Sequence, residues 1–282
     1  MRLLPAHLEP AELHAGCGKI EVEVVAGESA ATSVLTSSPF KILVPRPRGV
    51  SIWAYTSSFG GGLVAGDQTE INVRIGAGAR CYVGTQASTK IYRNPNQLPC
   101  SHVTRATLES GSVLVFTPDP VQAFAGSTYH QRQEFHLAKG AGLVLLDWFS
   151  SGRAARGERW TFERFSSRND VFTEQKRVFV DSLRLDAAAG AIASPHRTGR
   201  FDCFAMLLLI GEPLKQSAAG LLQNISERTI ERRADLICSA SPVADGVVLR
   251  LAGGVEAVGR QCKHHLNFIT TLLGDDPWAR KW

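Results

Sequence analysis

The sequence predicts a mainly β protein with two α-helices near its C-terminal end. Short strand-like segments, strictly alternating at Lys19–Val24, fill the first two thirds of its 282 residues. A glycine-centred turn recurs at close to one interval, and after Pro213 the apolar period changes from two to nearly four.

Lys19–Val24 shows the strand pattern most plainly. Ile20, Val22 and Val24 fall on one face, and Lys19, Glu21 and Glu23 on the other. Comparable segments follow at Ser33–Thr36, Phe40–Val44, Ser51–Tyr55, Thr69–Ile75, Ala79–Gly84, Val103–Leu108, Ser112–Phe116, Thr128–Leu137, Leu143–Phe149, Trp160–Phe165 and Val171–Val180. Gly, Pro, Ser and Asn separate them. Ile75–Ala79, Leu108–Ser112 and Leu137–Ala141 share one form: an apolar residue, two small or polar residues, a glycine, then a new strand. Gly78 and Gly111 are 33 residues apart, and Gly111 and Gly140 are 29 apart. Such spacing fits coils stacked as a solenoid and, equally, tight turns in an antiparallel sandwich.

Leu214, Ala218, Leu221, Leu222 and Ile225 form the stripe of a first amphipathic helix. Arg228, Arg232 and Arg233 stand where cations favour its dipole. A strand is expected at Val247–Leu251. A second helix is marked by Val255, Val258, Cys262, Leu266, Ile269 and Leu273, with Gly274 just past its end. No linker interrupts the pattern, so residues 1–282 are read as one domain, with a strand-rich body over 1–200 and helices plus strands over 201–282.

Composition narrows the function. Hydrophobic content of 44% and charged content of 20% describe an ordinary globular chain. The longest apolar run, Phe204–Ile210, is far too short to span a bilayer, and the first ten residues carry prolines and an acid where a signal peptide needs an unbroken apolar segment. A cytoplasmic location is expected. The six cysteines lack C-x-x-C spacing and are read as reduced core residues. The net charge of +5 is diluted by acids beside arginines (Glu158–Arg159, Glu163–Arg164, Glu227–Arg228, Glu231–Arg232), which argues for protein contacts over nucleic acid.

The chemistry concentrates in a few stretches. Gly60, Gly61, Gly62, Gly66 and Asp67 form a loop that fits neither phosphate-binding glycine template. Asp67 is read either as a turn residue or as an oxygen donor lining a passage. Thr85, Gln86, Lys90 and Tyr92 with Arg93 gather polar groups one strand later, as an exposed edge or a wet interior file. In Thr128–Leu137, Tyr129, Gln131, Gln133, Phe135 and Leu137 share one face; His130 and His136 lie on the other, too far apart to hold one metal. Asp147–Trp160 mixes aromatics, Arg153, Arg156 and Glu158 in the manner of an interface hot spot, or of a loop that closes the fold. His264 and His265, adjacent on a helix, do not chelate one ion. Asp147 with Glu158 could be imagined as a glycosidase pair.

Several of these blocks, in this order, resemble the UreD (UreH) family of urease accessory proteins. They are Phe59–Asp67, Thr85–Arg93, Pro118–Gln131 and Asp147–Trp160, and the likeness runs from about Gly16 to Trp282. Many members carry a His-x-Pro-Pro-type segment ahead of the glycines, where this chain has Tyr55-Thr56-Ser57-Ser58-Phe59.

The resemblance implies a β-helix-like stack of short strands with two C-terminal α-helices packed on it. It implies a chaperone rather than an enzyme, docking on apo-urease with a UreF-type helical protein and a UreG-type GTPase. A UreE-type metallochaperone would be the nickel source. No tightly bound cofactor is implied, only transient nickel. Metal-transit candidates are Asp67, Thr85, Gln86 and Asp147. Partner-interface candidates are Gly61, Gly62, Lys90, Tyr92, Arg153, Arg156, Glu158 and Trp160. The competing readings are a β-helix carbohydrate-active enzyme using paired carboxylates and a basic nucleic-acid-binding β protein.

Overall fold

The computed structural model describes residues 14–46, 49–96, 98–231 and 233–279. The chain opens with β1 (Cys17–Val25), β2 (Glu28–Thr36), β3 (Phe40–Leu43) and β4 (Ile52–Ser58). Three coils follow, each of three strands: β5 (Gly62–Leu63), β6 (Gln68–Ile75) and β7 (Arg80–Thr85); β8 (Lys90–Ile91), β9 (Cys100–Leu108) and β10 (Val113–Phe116); β11 (Val121–Ala123), β12 (Thr128–Leu137) and β13 (Gly142–Ser150). Then come β14 (Arg164–Thr173), β15 (Lys176–Asp186), β16 (Cys203–Gly211), α1 (Lys215–Ser226), β17 (Ile237–Val243), β18 (Gly246–Gly253), α2 (Val255–His265) and α3 (Ile269–Leu273).

Corresponding strands of successive coils pair in parallel: β5 with β8 and β8 with β11, β6 with β9 and β9 with β12, β7 with β10 and β10 with β13. The recurring glycine turns are therefore rungs of one column. Gly78, Gly111 and Gly140 all have φ between +70° and +80°, and the Gly78 amide donates to the Ser110 carbonyl of the next coil. Of the two stacking modes open to the sequence, the solenoid is the one adopted. Further strands extend it at both ends, β1, β4 and β14 in parallel and β16 with the outermost strands antiparallel, giving one sheet in the order β15-β14-β12-β9-β6-β1-β2 and another running β17-β18-β16-β13-β10-β7-β4-β3.

The facing sides of the two sheets enclose an aliphatic core that includes Ile71, Val73, Val83, Leu114, Leu143, Leu145 and Leu208. The second sheet is covered on its other side by the helices, through Leu221, Ile225, Val258 and Leu266. With both faces buried, its strands read as unbroken apolar runs. That is why Phe204–Ile210 gives no alternation although it lies in β16. β17 and the short strands β5, β8 and β11 also lack a legible pattern. An aromatic cluster around Phe149, Trp160, Phe162 and Phe165 fills one end of the body.

Several boundaries differ from the sequence expectation. The segment read as a strand over Trp160–Phe165 becomes regular only at Arg164, because Trp160 adopts φ +57° and redirects the chain. Val171–Val180 is a hairpin, turning at Glu174 and Gln175, both with positive φ. The second helical stripe breaks after His265, where i to i−3 hydrogen bonds at Asn267 and Ile269 tighten the chain before α3. Gly274 ends that helix in the left-handed conformation, as expected. The arginine-rich end lies past α1, with Arg228 bonded to Asn224; Arg232 lies outside the described residues. Among the described residues no helix is long and apolar enough to cross a membrane.

Candidate functional site: a polar layer and two cavities

The interior is not apolar throughout. Parallel register aligns Thr69, His102, Gln131 and Ser167 across four strands of the first sheet, and one step along aligns Thr104, Gln133 and Asn169. These side chains face inward, because each lies on the same face of its strand as that strand's core residues. From the opposite sheet, Asp147 of β13 reaches into the layer. Its carboxylate accepts hydrogen bonds from Gln131 Nε2 (2.9 Å), Ser167 Oγ (2.6 Å) and Asn169 Nδ2 (2.7 Å). Tyr129 donates to Gln131 Oε1 at 3.1 Å, and Gln133 Nε2 to Asn169 Oδ1 at 2.9 Å.

A cavity of about 150 Å³ adjoins this layer, bounded by Thr69, His102, Gln131, Gln133 and Asp147. Its opening follows from the chain. β10 ends at Phe116, and the next residues, Thr117-Pro118-Asp119-Pro120, include two prolines that lack the N–H needed to continue a ladder. A window is left between Gly61, Gln86 and Asp119, which also line the cavity. Thr85 fixes its rim: the hydroxyl lies 3.0 Å from Asp119 Oδ2 and accepts from the Asp119 amide at 2.7 Å.

Asp147 and Ser167 also bound a second cavity, of about 230 Å³, on the far side of the cluster. Its wall includes Asp181, Arg250 and Arg197. Asp147 thus lines both cavities. Burial pushes the Asp147 carboxyl above the usual carboxylate range, and the hydrogen bonds from Ser167, Asn169 and Gln131 oppose that shift. Burial also drops His102 to about 4, so its imidazole is neutral near pH 7. Its Nδ1 lies 2.8 Å from Thr69 Oγ1.

The predicted residues divide among several places. Thr85, Gln86, Asp147 and Gly61 meet at the first cavity. Asp67 does not border it: the carboxylate accepts from the Val64 amide at 2.9 Å and closes the turn of its own loop. Gly62 is extended and packs against Lys90, where an added Cβ would lie 2.3 Å from the carbonyl oxygen. Tyr92 donates to the Gly60 carbonyl at 3.0 Å, so the loop and the second polar block are tied together.

In the Arg-rich block, Arg153 forms a two-point pair with Glu158 and lies over the Phe124 ring at 4.2 Å. That pair holds Glu158 below the usual carboxylate range. Arg156 is exposed. Trp160 is 4% exposed and donates to the Phe201 carbonyl, so its indole belongs to the aromatic core. Glu158 borders neither of these two cavities.

His130 and His136 face outward and bond separately, to Ser166 and Glu134. Arg159 and Arg164 pair across the fold with Asp202 and Asp186 rather than with their sequence neighbours. Cys81, Cys100, Cys203 and Cys262 are buried, Cys17 and Cys238 partly so, and all six are free thiols. Among the described residues no three His, Cys, Asp or Glu side chains are placed to hold a metal ion together.

The sequence alone does not single out Gln131, Gln133, His102, Ser167 or Asn169 as site residues. The available signal was their position: each sits on the face of its strand otherwise given to core residues.

The sequence matches the family model described as UreD urease accessory protein over residues 14–282. The chain belongs to the UreD family. It is 45% identical over 270 residues to the urease accessory protein UreD of Sorangium cellulosum, covering 95% of this chain and 85% of the relative. The UreD of Anaeromyxobacter is 38% identical over 269 residues, covering 95% and 90%. Urease accessory protein D of Arabidopsis thaliana is 32% identical over 293 residues, covering 93% and 99%. Membership in the UreD family assigns this chain a role in urease maturation.

Proposed function

We propose that this chain acts as a cytoplasmic chaperone that docks on apo-urease and carries nickel through its own interior. The observation that supports this is the polar layer, with Asp147 lining a cavity on each side, set against the aliphatic core between the two sheets. Buried polar side chains are costly unless satisfied. A file of them crossing a β core, where aliphatic side chains would pack as well, favours a transport role over a structural one.

The donor chemistry suits a transient cargo. Carboxylate, amide and hydroxyl oxygens hold a divalent nickel ion weakly, whereas thiolates would retain it. Thr85, Gln86 and Asp119 would receive the ion at the window, and Asp147 with Gln131 and Ser167 would pass it between cavities. Asp67, at the turn behind the window, would act by holding the loop. Gly61, Lys90, Tyr92 and the exposed Arg156 would face partner proteins: apo-urease, a UreF-type helical protein and a UreG-type GTPase, with a UreE-type metallochaperone delivering the ion.

Complementation tests the proposal. In cells lacking this chain and grown with limiting nickel, the wild-type chain restores nickel-loaded urease. Asp147→Ala, expressed to the same level and still co-purifying with urease, restores little. Full restoration by Asp147→Ala would refute a passage through this cluster.

A further inference from the structure

The second cavity has an outer end that nothing above assigns. Asp181 of β15 and Arg250 of β18 both border it, and they come from opposite sheets. Their side chains meet there, with Arg250 NH2 2.6 Å from Asp181 Oδ1. The pair faces solvent on its other side: the Arg250 side chain is 53% exposed and Asp181 23%. Asp147 and Ser167 stand at the inner end of the same cavity. Arg197, also on the wall, is held by the Asp186, Ala189 and Gly190 carbonyls and is not free to swing. Among the described residues Arg250 makes no comparable set of backbone bonds, and a half-exposed ion pair is held weakly. One half-exposed guanidinium thus occupies the carboxylate that a cation leaving the cavity would meet last.

We propose that the Asp181–Arg250 pair is the outer gate of the nickel passage, opening when a divalent cation replaces the Arg250 guanidinium on the Asp181 carboxylate. This rests on the passage proposed above and names the residues that control its far end. The two partners have opposite roles. Asp181 draws the ion outward, so removing its charge slows transfer. Arg250 competes with the ion for Asp181, so removing its charge speeds transfer. A structural ion pair would make the two losses equivalent.

The experiment measures nickel per urease active site, by elemental analysis, in cells whose only copy of this chain is wild type, Asp181→Asn, Arg250→Gln or Gln131→Trp. Growth is at limiting nickel, and samples are taken over time. The gate predicts about fivefold slower loading for Asp181→Asn and about twofold faster loading for Arg250→Gln. Equal losses in both, or wild-type rates in both, would overturn it. Gln131→Trp fills the inner cluster and separates the two levels. If it blocks loading while both gate variants load normally, the gate is wrong and the passage stands. If it loads normally, the passage fails and the gate with it.

Discussion

Ser167 donates a 2.6 Å hydrogen bond to the Asp147 carboxylate across the gap between the two sheets. Gln131 and Asn169 donate to the same group, so three donors converge on one acceptor pair. Asp147→Asn would place an amide nitrogen against at least one of them. Ser167 can rotate its hydroxyl to accept, but Asn169 cannot turn its amide without losing Gln133. Urea unfolding is expected to show a loss of about 2–3 kcal/mol. A variant as stable as wild type would mean that the cluster is not held by the carboxylate.

The glycine loop gives a second prediction, by contrast within one triplet. Gly62 is extended, but an added Cβ would strike the Lys90 carbonyl, so Gly62→Ala should cost about 2 kcal/mol through backbone displacement. Gly60 has φ +73° with nothing near its missing side chain, so Gly60→Ala should cost only about 1 kcal/mol of conformational strain. Thermal denaturation of the two variants checks the order.

Arg153 and Arg156 should separate folding from docking. Arg153→Ala removes the partner of Glu158 and the contact on Phe124, and lowers the melting temperature. Arg156→Ala leaves the melting temperature unchanged and weakens co-purification with urease and the accessory partners. Equal co-purification by wild type and Arg156→Ala would remove that residue from the interface.

Acid should weaken the fold partly through His102. The unfolded chain binds a proton on this residue near pH 6.5, whereas the folded chain holds it neutral down to about 4. Its contribution is therefore complete above pH 6.5 and is lost as pH falls from there toward 4, by up to about 1.4 kcal/mol per pH unit. His265, likewise lowered to about 4, acts in the same direction. Chemical denaturation between pH 7 and pH 4 should show a shallower decline for His102→Gln than for wild type.

Much of the fold could be read from the sequence because its signals are local. Gly78, Gly111 and Gly140 repeat since each coil must turn at the same place, and Ile20 alternates with Glu21 since one face of β1 is buried. β16 could not be read as a strand, because burial on both faces erases alternation.

The site was harder for a related reason. Asp147 and Thr85 stand in distinctive polar blocks, but Gln131 and Asn169 become meaningful only once parallel register aligns strands 36 residues apart in sequence. Trp160 shows the opposite case. Its neighbours suggest an interface, and only the tertiary fold reveals that the indole is spent on Phe201 and the aromatic core.

Nickel content of urease made with Gln131→Trp tests the central claim most directly. The bulkier side chain fills the space between Tyr129 and Asp147 while leaving the exposed surface untouched. The account predicts that this variant still co-purifies with urease but leaves it nearly free of nickel. Fully metallated urease from those cells, at limiting nickel, would contradict it.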